Sequence, residues 1–471
     1  MALLRAVQHL AWNKGAEDFL DAVRHDGAAQ RVAVLLLGGA LVIGSRWLLR
    51  FSTKGTGSEL TAAVWFRAGN FPFARTVNDI VTSIVVVGLG AALGREAAPK
   101  QAGALLLDRL ARWSGLPATQ RRLLVACGAG AGIAAVYNVP FAGALFALEV
   151  LLGALSFSLV PAAFAATMIA TACAWTLLPN APTYEVPTYA ISPQLVLWAA
   201  IAGPAIGVSA AFYVRLICWA GALKPQGWRK FAAPLIVFGA LGVASIGFPQ
   251  LLGNGKDVVQ LAYAGAVPLS LALCLIALRP IATAACLGSG APGGLFTPTL
   301  TIGALIGIGS GHAWLKLWPG AAHEVGAYAL IGSGAFLAAS TQGPVSAVVF
   351  VLELTRRVDP TMTALMLTIA GAIFTARRFE ARSVYSGRIF AARASVAEDP
   401  QPSVSVSARL PELLLKMAAR PNSAFAVIDQ NGERLGVIAR ELLNRHIDDL
   451  RPSQIATAGD LLELAQREPS A

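Results

Sequence analysis

Long apolar stretches separated by short polar ones set the pattern of the chain. They run approximately through 31–49, 80–94, 122–152, 158–178, 193–222, 231–249, 265–287, 299–317, 326–354 and 362–376. Since about 20 apolar residues cross one bilayer, this pattern predicts a polytopic all-helical membrane domain with about ten or more crossings. Several stretches are too long for one straight crossing or are cut by Gly and Pro. The run 122–152, broken at Asn138 and Pro140, reads as two tilted or partial helices meeting inside the protein. Backbone broken at membrane depth is tolerated where it is buried in protein or lines a pathway. At the start, MALLRAVQHLAWNKG puts Leu3, Leu4, Val7, Leu10 and Ala11 on one helical face and Arg5, His9 and Lys14 elsewhere. That segment reads as an interfacial helix, with no cleavable signal after it.

Composition agrees with the pattern. Of 471 residues, 56% are hydrophobic and only 13% charged, with a mean hydropathy of +0.61. Soluble domains carry about 25% charged residues, so an ordinary water-soluble enzyme is excluded. The 37 Lys and Arg against 26 Asp and Glu leave a net charge of +11. The basic residues sit in short loops and not on an aromatic-studded soluble face, so positive-inside topology explains them and nucleic acid is not an expected partner. Cys127, Cys173, Cys218, Cys274 and Cys286 lie in apolar runs without CxxC spacing and read as packing residues. His9, His25, His312, His323 and His446 form no metal or acid–base spacing, and no nucleophile–base pair stands out, so no enzyme is expected. The tryptophans mostly flank apolar runs, as interface anchors do.

The chain also repeats itself. GAGAGIAAVYNVPFAGALFALEV from Gly128 matches GSGAFLAASTQGPVSAVVFVLEL from Gly332 without a gap, at an offset of 204. Coinciding positions include Gly128/Gly332, Ala134/Ala338, Pro140/Pro344, Phe146/Phe350 and Glu149/Glu353. GREAAPKQAGAL from Gly94 matches GLFTPTLTIGAL from Gly294 at an offset of 200. Pro and Glu are uncommon in lipid, so their recurrence at nearly one offset indicates duplication. Repeated, Gly/Pro-interrupted segments point to a transporter or channel whose site lies between the halves. Glu149 and Glu353, repeated in this way, read as structural helix-end groups.

After Arg377, Arg378, Arg382, Arg388 and Arg393 the chain turns polar, with Pro400 and Pro402 marking a linker. The basic cluster predicts a cytoplasmic end. Beyond it, 410–419 reads as a helix, 424–439 as strand, Asn431-Gly432 turn and strand, and 440–447 as another helix. This small α/β module resembles one CBS motif. Such motifs work in pairs, so a pair would form across a dimer; a tail without ligand is the other reading.

Three stretches set glycine beside a polar or helix-starting residue at the edge of an apolar run: Gly55-Thr56-Gly57-Ser58, Gly94-Arg95-Glu96-Ala97-Ala98-Pro99 and Gly293-Gly294-Leu295-Phe296-Thr297-Pro298. Glycine admits close backbone approach, and Pro suits a first helical turn. The free N–H groups of such a turn, backed by the helix dipole, form an anion site without a basic side chain. A fixed full charge would hold a permeating ion too tightly.

On these residues the chain resembles the CLC chloride channels and transporters over about 30–395. GTGSE at 55–59 is similar to the family's GSGIP, GREAA at 94–98 to GREGP, and GLFTP at 294–298 to GxFxP; Ser383-Val384-Tyr385-Ser386 stands where the family places its inner-gate tyrosine. The resemblance implies a homodimer with one pore per subunit, built from two inverted repeats of tilted and broken helices that aim their N-termini at the anion. It implies a transmembrane domain over 1–395 and a cytoplasmic CBS-like domain over 396–471. Thr56 and Tyr385 would offer hydroxyls to chloride, N–H groups near Phe296 and Thr297 would complete its shell, and Glu96 would be the gate. A carboxylate at a helix start can itself occupy the anion's place until it swings away or is neutralised; a structural ion pair with Arg95 is the alternative for Glu96.

Departures from the family pattern qualify this. Where coupled antiporters carry an internal proton glutamate, the chain has Val150, which cannot bind a proton and favours a passive channel over an exchanger with another route. Thr56 replaces the usual serine, which favours chloride and leaves nitrate or bromide open. Ala97 and Ala98 replace Gly and Pro, predicting a less mobile gate loop. Lys100, four residues after Glu96, can share its helical face and is expected either to hold the charged gate or to draw anions to the vestibule, against the bland reading of a snorkelling lysine. A nonconducting sensor whose tail binds an adenine nucleotide is a further alternative. Compact loops suggest a bacterial inner membrane.

Overall fold

The computed structural model describes residues 2–12, 18–52, 59–67, 69–223, 225, 227–318, 324–358, 361–388, 403–419, 425–429, 433–438 and 457–467. Two short helices, α1 (Ala2–Ala11) and α2 (Phe19–His25), precede the long α3 (Ala28–Ser52). The apolar face of α1 is divided: Leu4 is buried and Val7 packs at Gly88, while Leu3 and Leu10 stay exposed. Part of that face therefore meets protein and not the bilayer surface.

The first half continues as α4 (Leu60–Phe66), α5 (Phe73–Gly88), α6 (Ala97–Trp113), α7 (Ala118–Tyr137), α8 (Pro140–Leu145), which runs on as a π-helix over Phe146–Leu152, and α9 (Val160–Ala174). The second half is α10 (Pro193–Ala222), α11 (Arg229–Gly247), α12 (Lys256–Tyr263), α13 (Leu269–Gly288), α14 (Phe296–Leu317), α15 (Val325–Thr341), α16 (Pro344–Thr355) and α17 (Thr361–Arg378). Among the described residues, four helices are long and apolar enough to cross a membrane: α3, over Ala28–Leu49, and α10, α11 and α13. The others are shorter, or are buried within the bundle as α15 is.

The duplication is visible in backbone detail. The break foreseen in 122–152 falls at Asn138, which caps α7 in the left-handed conformation at φ 58°, and Pro140 then opens α8. Its repeat mate Gln342 caps α15 at φ 57°, and Pro344 opens α16. Each half also caps the other. The Glu149 carboxylate accepts the N–H groups of Val345 and Ser346 at 3.0 and 2.7 Å, and the Glu353 carboxylate accepts those of Phe141 and Ala142 at 3.1 and 2.7 Å. A carboxylate at a helix start satisfies orphan donors and meets the positive end of the dipole. Such reciprocity is what two inverted repeats about a two-fold axis produce.

The tail forms a small three-stranded sheet of order β1 (Ser403–Ser405), β2 (Phe425–Ile428), β3 (Arg434–Ile438), parallel between the first two and antiparallel between the last two. With α18 (Leu410–Ala419) and α19 (Ala458–Arg467) it encloses a core that includes Val404, Leu413, Val427, Ile438 and Leu461. The strand pair and the first helix match the sequence pattern; the Asn431-Gly432 turn and the helix expected over 440–447 lie outside the described residues. Arg409 joins this module to the membrane domain. Its guanidinium donates to the carbonyl oxygens of Leu152 and Leu151 at the end of the π-helix and stacks 4.9 Å from the Trp65 ring centroid. Burial, with Arg122 nearby, pushes the Arg409 guanidinium down to about 9, so it keeps its charge at neutral pH.

Candidate functional site

Helices α6 and α14 begin against one another. Gly94 N–H donates to Gly294 O at 2.7 Å and Gly294 N–H donates to Gly94 O at 2.8 Å, so the second and third glycine motifs form a two-residue antiparallel bridge. Glu96, immediately before α6, is fully buried, and its carboxylate lies against this bridge. Oε1 accepts the Phe296 N–H at 2.6 Å, the first donor of α14. Oε2 is 3.4 Å from the Tyr137 hydroxyl and 3.5 Å from the Thr297 hydroxyl, and those two hydroxyls are 2.7 Å apart.

One backbone N–H and two side-chain hydroxyls, not a basic side chain, surround this carboxylate. No ion pair joins Glu96 to Arg95; the Arg95 guanidinium lies 4.8 Å from the Tyr137 ring centroid instead. A Cβ at Gly294 would stand 1.9 Å from Glu96 Oε1, and one at Gly94 would stand 2.2 Å from Oε2. Close approach of carboxylate and backbone is what demands glycine at both places. A carboxylate thus rests on the N-terminus of a long helix in an enclosed position, where the helix dipole favours negative charge.

A column of rings leads away from Glu96. Tyr137 meets Phe296 at 5.5 Å, Phe296 meets Phe350 at 4.6 Å, Phe350 meets its repeat mate Phe146 at 6.2 Å, and Phe146 meets Tyr385 edge-on at 5.5 Å. The Tyr385 segment is tied to the end of α15 by Val384 N–H donating to Ser340 O at 2.8 Å. The Tyr385 hydroxyl is buried without a hydrogen-bond partner among the described residues. Buried hydroxyls are normally paired, so this one keeps a proton to offer beside the cavity it lines.

Lys100 is buried one turn into α6, with Nζ 4.6 Å from the Tyr385 ring centroid and 5.6 Å from that of Phe146. No ion pair joins it to Glu96. With Tyr385, Gly294, Leu295 and Arg388 it lines a cavity of about 680 Å³ that reaches the residues flanking Glu96, while Glu96 itself is not in its wall. Glu59, at the end of the first glycine motif, pairs there with Arg388 at 3.8 Å. Thr56 lies outside the described residues. Val150 is buried in the π-helix beside Glu149, packed against Gly343. Among the described residues no cluster of His, Cys, Asp or Glu could hold a metal ion.

Of the expected site residues, Glu96, Phe296 and Thr297 come together at the helix starts, and Lys100 and Tyr385 come together one ring column away. Tyr137 was missed. Its only sequence signal is a hydroxyl-bearing aromatic just before the Asn138 break.

A family model described as voltage gated chloride channel matches residues 38–377. The chain belongs to that family. It is therefore a membrane transport protein and not an enzyme. It is 33% identical over 364 residues, 75% of this chain and 82% of the relative, to a putative chloride channel protein ClcB-like of Ralstonia nicotianae. It is 29% identical over 350 residues, 71% of each chain, to the H(+)/Cl(-) exchange transporter ClcA of Citrobacter koseri. The CLC fold is shared with a crystal structure of a slow cyanobacterial Cl-/H+ antiporter at a TM-score of 0.72 and 20% identity, covering 83% of this chain and 93% of that one. A CLC-type fluoride/proton antiporter aligns at a TM-score of 0.60 and 19% identity, covering 82% and 96%.

Proposed function

We propose that this CLC chain carries chloride across the membrane as a passive conductor gated by Glu96. The observation that carries the reading is the seat of the Glu96 carboxylate on the Phe296 N–H, a position an anion could take when the carboxylate leaves or is neutralised. Phe296 and Thr297 would then present their N–H groups to the anion and Tyr385 its hydroxyl, with Thr56 supplying a second hydroxyl. Lys100, facing the cavity, would raise the local anion concentration without touching the gate, as a charge of opposite sign lining a cleft does. Val150 supports passive conduction, because valine offers no proton site on the inner side.

Proton-coupled exchange is the second reading. It is favoured by relatives named as exchangers and would need a route that avoids Val150. The unit would be a homodimer in a bacterial inner membrane, with 1–395 in the bilayer and a CBS-like module at 396–471 in the cytoplasm. For that module the docking of Arg409 on the π-helix supports a mechanical link, and an adenine nucleotide is the ligand to test. The deciding experiment records chloride efflux and external pH together from liposomes holding wild type or Glu96→Gln. Flux without proton uptake, made independent of pH by Glu96→Gln, is the expected result. Stoichiometric proton movement that Glu96→Gln abolishes would replace the channel with an exchanger.

A further inference from the structure

We infer that Tyr137 and Thr297 form a hydroxyl clamp that recognises the charged Glu96 carboxylate and sets the pH at which the gate yields, a role that rests on Glu96 being the gate. The clamp spans the two halves of the molecule, with Tyr137 ending α7 and Thr297 in the first turn of α14. Both residues are fully buried. Their hydroxyls are 2.7 Å apart, and Glu96 Oε2 lies 3.4 Å from one and 3.5 Å from the other.

Two hydroxyls carry two protons. One is spent between them, and the other has the Glu96 carboxylate oxygen as its acceptor among the described residues. A charged carboxylate only accepts, whereas a neutral carboxyl must place a proton of its own. Hydrogen bonds to an ionised acceptor are about twice as strong as neutral ones, so the pair favours the charged, seated gate. Other groups keep the pair in place. Thr183 Oγ1 donates to the Tyr137 carbonyl at 2.8 Å, the Arg95 guanidinium lies over the Tyr137 ring, and Thr301 Oγ1 donates to the Thr297 carbonyl at 2.9 Å. Among the described residues, Arg95 and Lys100 on the Glu96 side, Tyr184, Tyr213 on α10 and Tyr385 are the other charged or titratable groups in its field.

Neither hydroxyl is a product of the repeat. At the offset of 204 the mate of Tyr137 is Thr341, whose hydroxyl donates to its own helix at Leu337 O; at the offset of 200 the mate of Thr297 is Ala97. The clamp is therefore confined to the one position in the molecule where a carboxylate sits on a helix start in the pathway.

The test is chloride efflux against external pH from liposomes holding the full chain, for wild type, Tyr137→Phe, Thr297→Ala, Thr297→Ser, Glu96→Gln and Tyr137→Phe with Glu96→Gln. Removing either hydroxyl moves the half-maximal pH of flux upward by about half a unit to one unit, a roughly three- to tenfold change in the gate's protonation equilibrium. Thr297→Ser restores the wild-type midpoint, and Tyr137→Phe adds nothing once Glu96 is Gln. If Glu96→Gln removes the pH dependence but Tyr137→Phe and Thr297→Ala leave the midpoint unmoved or lower it, the clamp is wrong and the gate stands. If Glu96→Gln leaves the pH dependence intact, gate and clamp fall together. Should Tyr137→Phe fail to fold, Thr297→Ala against Thr297→Ser decides.

Discussion

The two halves of this molecule share a scaffold and differ in chemistry. At the scaffold level, Asn138 and Gln342 make the same left-handed cap, Pro140 and Pro344 open the same kind of helix, and Glu149 and Glu353 cap each other's half. Around Glu96, the first half contributes the carboxylate and the Tyr137 hydroxyl, and the second contributes the Phe296 N–H and the Thr297 hydroxyl. The same opposition appears farther along, where the π-helix segment of the first half carries Val150 while α16 of the second stays a regular helix. Duplication supplied two helix starts aimed at one place. Divergence at a few side chains turned that symmetric cradle into an asymmetric one, with a carboxylate seated on the helix start of the other half.

The sharpest way to break this comparison is to add one methyl on each side of the bridge. Gly294→Ala places a Cβ into Glu96 Oε1 and Gly94→Ala places one into Oε2, so either should unseat the carboxylate. With Glu96 as the proposed gate, chloride flux is expected to rise about tenfold, equivalent to about 1.4 kcal/mol of lost seating. Equal rises from the two variants would mean the halves contribute equally to the seat; no rise from either would remove the carboxylate from the pathway.

A middling effect is expected at Lys100, which has no charged counterpart at the repeat-related Leu300. Lys100→Met should lower chloride flux roughly threefold at low ionic strength and much less at high salt, because steering by a fixed charge is screened. Flux measured across a salt series checks this, and a salt-independent loss would assign Lys100 to packing over the Tyr385 ring instead.

The smallest functional effect belongs to the caps. Glu149→Gln and Glu353→Gln each weaken two charge-assisted bonds and should each cost about 1.5–3 kcal/mol of stability. Thermal unfolding of the purified protein should show similar losses for the two, with pH dependence of flux unchanged. A loss confined to one would show that the halves are not equivalent as scaffold either.

Much of this was legible before any coordinates. Gly, Pro and Glu in lipid-like surroundings are costly unless they serve something, so their recurrence at offsets of 204 and 200 exposed the duplication, and the glycines beside Glu96 and Phe296 exposed the anion-like seat. Tyr137 was not legible, because one aromatic in an apolar helix looks like any other packing residue until α7 and α14 are brought together. The two roles open for Lys100 were equally undecidable from its spacing to Glu96, since a shared helical face does not say whether the side chain runs toward the gate or back over a ring from the far end of the chain.

The sequence by itself determined that the chain belongs in a bilayer, that its two halves are copies, and where its helices break, because those properties follow from local hydrophobicity, backbone freedom and repetition. Only the tertiary structure decided which groups meet. Glu96 reaches Phe296 across 200 positions, Tyr137 reaches Thr297 across 160, and Arg409 reaches Leu152 across 257. Contacts at such separations depend on how the two halves pack around their common axis, and no local pattern encodes a side chain's partner on the other half.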